Sequence, residues 1–230
     1  MYRWRMIPRI IHRIWVDPGG QLQAPDLPAE IRRNLQSWAT HESGCTQKLW
    51  SLAELLRLCQ IHDMPEVGRA LQACRFPSMK ADIGRFLVLK LFGGFWADLK
   101  LALKRPFLQQ FSDHDLVTTE HYPKEDFPEP NGHLTIQFIG ATQDHPVINE
   151  TLRLIAANVN SRKPGSIYHV TGATNFNTAV SQAANLRHDH MIPHQAAWQD
   201  LFALEGVRSY TAPTMHWSER EQRESPYLDG

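Results

Sequence analysis

Asp82, Arg85, Asp98 and Lys100 stand in one short stretch, Lys80 to Pro106, whose centre reads Gly93-Gly94-Phe95-Trp96-Ala97-Asp98-Leu99-Lys100. Asp82 and Arg85 are three residues apart in a helical pattern, so they share a face. A charged pair on a helix that runs into Gly-Gly and then an acid suggests polar groups facing a cleft. The alternative is an i,i+3 surface ion pair, common and worth a few tenths of a kcal/mol. Spacing alone leaves both readings open.

The elements around the stretch decide what it faces. Ser78 to Phe92 has the pattern of a helix, and Gly93-Gly94 stops it. Phe95 to Pro106 reads as a strand in which Leu99, Leu101 and Leu103 alternate with Asp98, Lys100, Ala102 and Lys104. That alternation puts Asp98 and Lys100 on one polar face. Asp98 stands at the start of this strand, and the loops at strand ends are where ligands bind in open α/β sheets.

Elsewhere, Ile10 to Val16 is a β-rich run closed by the turn signal Asp17-Pro18-Gly19-Gly20. Glu30 to Trp38 has helical spacing, and Ser51-Leu52-Ala53-Glu54 is a capping box ahead of Leu55, Leu56 and Cys59. Asp115 to Glu120 and Leu134 to Ile139 read as strands, separated by a Pro- and acid-rich loop. Pro146 to Val159 and Thr171 to Asn185 read as helices. Strands alternating with helices predict an α/β fold with a mainly parallel central sheet.

The chain has 230 residues, 42% apolar and 21% charged, with zero formal net charge. These values suit one domain over residues 1–217, with a polar, mobile tail at 218–230. Neutral charge argues against nucleic acid as a partner. Cys45, Cys59 and Cys74 match no metal-ligand spacing and read as reduced thiols. The N-terminal stretch is basic but lacks a signal peptide's apolar run, and no segment is long enough for a membrane span. A cytoplasmic protein is expected, with room for a peripheral membrane contact through Arg3, Arg5 and Arg9.

Lys80-Ala81-Asp82-Ile83-Gly84-Arg85-Phe86, followed by Leu91-Phe92-Gly93-Gly94-Phe95-Trp96-Ala97-Asp98, resembles the core of family-32-type glycosyltransferases with a sugar-binding DXD motif. That family's pattern is a Lys-Ser-Asp-x-x-Arg helix, a Gly-Gly-x-Tyr turn and Asp-x-Asp. Ile7 to Trp15 is similar to its opening strand, Leu49-Trp50-Ser51 to its second nucleotide-side segment, and Asp144-His145-Pro146 to the start of a later helix. Thr171-Gly172-Ala173 is similar to its Thr-Gly-Pro turn and His216-Trp217 to its C-terminal segment. The matches follow the family's order along the chain.

The resemblance implies a GT-A fold, Rossmann-like, that transfers a hexosyl group from a UDP- or GDP-sugar to a hydroxyl of a glycan or other acceptor, with retention, in polysaccharide or glycoconjugate synthesis. It implies that Trp15 and Trp50 lie on the nucleotide side, although Trp15 reads equally as a core residue. Asp82 and Arg85 would hydrogen-bond the donor sugar. Asp98 would touch the ribose, the sugar or the metal shell, and Gln137 would face the acceptor. Thr171 and Gly172 would form a helix start able to hold phosphate.

Lys100 departs from the pattern, because it stands where the second acid of Asp-x-Asp ligates Mn²⁺ or Mg²⁺. Three consequences are open. Lys100 replaces the cation in part, neutralising the departing diphosphate. A cation is still held, by Asp98 with His216 and waters. Or catalysis is lost, leaving a protein that binds nucleotide-sugar or glycan on the same fold.

The histidines at 188, 190 and 194 fit no zinc module. No Gly-x-Gly-x-x-Gly follows a strand, no Walker A loop is present, and no Gly-x-Ser-x-Gly elbow marks an α/β-hydrolase.

Overall fold

The computed structural model describes residues 6–16, 27–111, 113–121, 133–183, 189–193, 196–204 and 217–228. The predicted turn at residues 17–20, the loop around residues 122–132, Arg3, Arg5, His188, His194 and His216 lie outside them.

The main sheet contains β1 (Ile10–Trp15), β2 (Thr46–Ser51), β3 (Gly94–Ala97), β5 (Leu116–Glu120), β6 (Leu134–Ala141) and β7 (Asp189–Ile192). Its order is β2-β1-β3-β6-β5-β7. Only β6 runs against the rest, so three of the five pairings are parallel. The expected α/β class and mainly parallel sheet are therefore present. A second small sheet pairs β4 (Leu101–Leu103) with β8 (Phe202–Leu204).

Both faces of the main sheet are covered. On one lie α2 (Leu52–Ile61), α3 (Pro65–Ala73), α4 (Pro77–Phe92), α5 (Pro146–Asn160), the short α6 (Ile167–Val170) and α7 (Ala173–Gln182). The other carries α1 (Ala29–His41) and the small sheet, packed around Trp38, Phe107, Phe138 and Phe202. A short α8 (Trp217–Arg220) follows near the C-terminus.

Local signals account for the helix boundaries. The capping box forms in full at α2: Ser51 Oγ accepts from the Glu54 amide, and Glu54 accepts from the Ser51 amide. Proline opens α3, α4 and α5, where its missing N–H removes no intrahelical bond. Helix α4 is apolar on nearly all sides, with Ile83, Phe86, Leu87, Val88 and Leu89 all buried. It is thus the central helix of its layer.

The predicted strand from Phe95 to Pro106 is interrupted. β3 ends at Ala97, and a turn closed by the Leu101 amide on the Asp98 carbonyl (2.9 Å) redirects the chain into β4. Leu101, Ala102 and Leu103 are all buried, so the alternation read across Asp98 to Lys104 is not that of one half-exposed strand. Helix α1 holds the redirected segment. Asn34 donates to the Leu99 carbonyl (2.9 Å), Trp38 to the Leu101 carbonyl (2.8 Å), and Ser37 Oγ accepts from the Leu103 amide (2.9 Å). Three side chains of one helix thus fix the backbone that carries Asp98 and Lys100.

The polar C-terminal segment, read from composition as mobile, is tied down at least to Leu228. Tyr227 is buried, its hydroxyl donates to the Lys163 carbonyl (2.6 Å), and it bridges to Cys74. Backbone and arginine contacts add to this anchor: the Leu228 amide donates to the Ala73 carbonyl, and the Arg75 guanidinium donates to the Ser225 and Tyr227 carbonyls.

Candidate functional site

At the C-terminal end of β3, four of the sequence-selected residues converge. Arg85 lies on the inner face of α4, one turn along from Asp82. Its Nη2 is 3.1 Å from Asp82 Oδ1 and 3.3 Å from Asp98 Oδ1. Its Nη1 donates to the Ile136 carbonyl of β6, and its guanidinium stacks 4.8 Å over the Trp96 ring. The pair is buried, with side-chain exposures of 6% for Arg85 and 11% for Asp82. The surface ion-pair reading therefore fails: the pair is an interior one.

Asp98 receives more than Arg85. The Trp96 indole donates to Asp98 Oδ1 (2.9 Å), and the Asp98 amide donates to the Gln137 carbonyl (2.8 Å). Lys100 Nζ stands 3.9 Å from Asp98 Oδ2. Asp98 and Lys100 do approach each other, but through the turn and not through strand periodicity.

Trp96 is the residue that sequence reading missed. It sits two positions before Asp98, on the same face of the strand by period two, and that spacing was the available signal.

Thr171 is fully buried and its hydroxyl donates to Asp82 Oδ2 (2.9 Å). It positions Asp82. The predicted phosphate-holding role of this helix start meets an obstacle, because the Thr171 and Gly172 amides both donate to the Ile167 carbonyl. Gly172 has a packing reason, since a Cβ there would lie 2.8 Å from the Tyr168 backbone. Gln137 lies beside the site through its carbonyl, and its side-chain Oε1 is buried without a hydrogen-bond partner.

The tryptophans are placed differently. Trp15 ends β1 and is buried, in register with Ser51 at the C-terminal edge of the sheet. Trp50 stacks on Phe92 (5.4 Å between centroids) and donates to His12 Nδ1 (3.1 Å). Its ring contacts are with His12, Phe92 and the Lys48 ammonium.

His12 is a second feature that the sequence did not single out. Its Nδ1 accepts from Trp50, so the neutral ring carries its proton on Nε2, which donates to the Gly93 carbonyl (2.8 Å). Burial pushes its pKa down to about 4. Burial also raises Asp82 to about 6, opposed by Arg85 and the Thr171 hydroxyl and reinforced by Asp98.

The two shifts act on stability in opposite senses. Between about pH 4 and 6.5 the unfolded chain binds a proton on His12 that the native ring refuses, so stability rises with pH. Between 3.8 and about 6 native Asp82 keeps a proton the unfolded chain has lost, so stability falls with pH. Asp82→Asn removes the second effect alone. Urea unfolding from pH 4 to 7 should show a steeper rise for this variant than for the parent. Parallel curves would mean that Asp82 titrates normally.

The divalent cation implied by the resemblance needs open carboxylate oxygens. Asp98 Oδ1 is engaged by Trp96 and Arg85, and Oδ2 faces an ammonium. Asp82 spends one oxygen on Arg85 and the other on Thr171. Among the described residues no three His, Cys, Asp or Glu side chains gather as a ligand set. His216 lies outside them. As they are placed, with their oxygens engaged by Trp96, Arg85 and Thr171 or facing Lys100, the Asp82 and Asp98 carboxylates do not fit Mn²⁺ or Mg²⁺.

The sheet order, the single reversed strand and a polar cluster at the end of a parallel strand define the class: a GT-A type α/β fold. The profile of the family described as "capsular polysaccharide synthesis protein" matches residues 10–222, and the chain belongs to that family.

Its relatives include an uncharacterised glycosyltransferase of Acanthamoeba polyphaga mimivirus, 22% identical over 178 residues, 77% of this chain. The chain spans 66% of that protein's length. The PaToxG glycosyltransferase superposes with TM-score 0.52 at 17% identity, over 77% of this chain and 70% of that one. Mouse xyloside xylosyltransferase 1 reaches TM-score 0.45 at 12% identity, over 83% and 86%, which is too distant to bear on the fold.

No helix among the described residues is long and apolar enough to cross a membrane. Cys45, Cys59 and Cys74 are free thiols.

Proposed function

We propose that the protein is a glycosyltransferase that moves a hexosyl group, with retention, from a UDP- or GDP-sugar to a hydroxyl of a glycan or other acceptor, in polysaccharide synthesis. The observation that carries this reading is the buried Asp82–Arg85–Asp98 cluster at the C-terminal end of β3. It is supported by membership of the capsular polysaccharide synthesis family and by the glycosyltransferase relatives. The family-32-type resemblance of residues 80–98 points the same way.

In this reading Arg85 serves as an internal brace. It holds both carboxylates, so Asp82 and Asp98 meet the sugar hydroxyls in fixed orientations and little entropy is lost on binding. Trp96 and Thr171 keep the same carboxylates from rotating. Departure of the nucleoside diphosphate leaves an oxocarbenium-like sugar, a charge that Asp98 is placed to stabilise. Gln137, whose backbone carbonyl accepts from the Asp98 amide and whose side-chain Oε1 is buried without a hydrogen-bond partner, is proposed to face the acceptor.

The test is release of nucleotide from a panel of UDP- and GDP-sugars, with and without Mn²⁺ and candidate acceptors. Asp98→Asn should lower turnover about a hundredfold while leaving thermal unfolding nearly unchanged. If no donor is cleaved and none raises the melting temperature, the assignment is wrong. Lys100 at the second acid position favours one rival, a catalytically impaired binding protein on the same fold. Binding of a donor without release under every condition would select it.

A further inference from the structure

We propose that the Lys100 ammonium supplies the positive charge that a divalent cation would otherwise bring to the donor diphosphate, so that this site works without a metal. The inference rests on the nucleotide-sugar reading above and sharpens what that site must contain.

The argument starts from charge. A diphosphate leaving group needs a cation where its negative charge builds, and the cluster contains two. Arg85 is committed: it is buried, its Nη1 donates to the Ile136 carbonyl, and its Nη2 lies between Asp82 and Asp98. Lys100 is not. It touches Asp98 only at 3.9 Å, too long for a hydrogen bond, and its side chain is 29% exposed. Of the two it is the cation with donors to offer an incoming ligand.

Position is fixed better than the side chain. The turn at Asp98 to Lys100 is closed by its own hydrogen bond and clamped by Asn34 on the Leu99 carbonyl. The ammonium can therefore swing on a rigid base over the end of β3.

The carboxylates exclude the alternative from the other side. Three of their four oxygens already accept from Trp96, Arg85 or Thr171, and the fourth faces Lys100 itself. A divalent ion would have to displace these donors and sit beside the fixed Arg85 guanidinium and the Lys100 ammonium.

In the transfer, the bond between the anomeric carbon and the diphosphate oxygen breaks, and its electron pair goes to that oxygen. The acceptor hydroxyl oxygen bonds to the anomeric carbon, and its proton passes to the released nucleoside diphosphate. The Lys100 ammonium keeps its protons throughout and acts by charge.

The test uses the full chain and calorimetric titration with UDP, GDP, UMP and GMP in EDTA, then with Mn²⁺. The parent should bind a diphosphate equally well in both. Lys100→Ala should weaken that diphosphate about tenfold or more and leave the matching monophosphate unchanged, while Lys100→Arg retains binding. In turnover assays Lys100→Ala should lose about a hundredfold in kcat, and Lys100→Asp should gain a requirement for Mn²⁺. Unchanged thermal unfolding of the variants excludes misfolding as the cause. A parent that binds or turns over only with Mn²⁺, or a Lys100→Ala variant that behaves as the parent, overturns the proposal. A parent that binds no nucleotide with or without Mn²⁺ removes the donor reading itself, a result distinct from metal dependence.

Discussion

Arg85→Met is expected to destabilise the protein by about 3–5 kcal/mol and to abolish donor binding. Methionine fills a comparable volume, so a cavity contributes little to the loss. The effect is electrostatic. Without the guanidinium, Asp82 and Asp98 face each other in a buried site, and the Ile136 carbonyl loses its donor. Removing one partner from a buried ion pair is worse than never having had the pair.

Asp82 is already raised to about 6 with the guanidinium in place, and without it the carboxyl should stay protonated through neutral pH. Urea unfolding measures the loss. The double variant Arg85→Met, Asp82→Asn should recover a good part of the stability, because asparagine removes the cost of keeping that carboxyl protonated beside Asp98. Full independence of the two substitutions would contradict the shared network.

Gly94→Ala should produce the next largest effect, about 3 kcal/mol or more of destabilisation. Gly94 has φ of +95°, where an L side chain is strained, and an added Cβ would lie 2.6 Å from the Ile10 carbonyl oxygen. That oxygen belongs to β1, the strand paired with β3, so it cannot yield without opening the sheet. Gly165→Ala is the control. Gly165 also has positive φ, +139°, but its added Cβ would meet nothing closer than His169 Cβ at 3.9 Å. It should lose only the backbone strain, about 1 kcal/mol. Chemical denaturation of the two variants side by side separates strain from collision, and equal losses would refute the contact with Ile10.

The glycine pair illustrates how far local reading reaches. Gly93-Gly94 was legible as a helix stop, and the structure caps α4 there with the Gly93 amide on the Leu89 carbonyl (2.9 Å). That Gly94 must also let β1 approach was not legible, because Ile10 is remote in sequence. The capping box at Ser51 lay wholly within four residues, and it formed as read. The strand from Phe95 to Pro106 did not. Its polar–apolar alternation was real, but burial by α1 and pairing with β8 reset the meaning of each position after Asp98.

What the sequence determined by itself is therefore the local frame: the helix bearing Asp82 and Arg85 on one face, its glycine stop, and a strand delivering Asp98. These follow from dihedral preferences and periodicities that act over a few residues. Tertiary structure alone decided that the Asp82–Arg85 pair is buried and not solvated. Its other partners are Asp98, Trp96, the Ile136 carbonyl and Thr171, which arrive from β3, β6 and the start of α7. It also decided that Lys100 stands in a clamped turn with its ammonium partly free. Burial and charge balance depend on which distant segments close over a side chain, and no spacing within one segment encodes that closure.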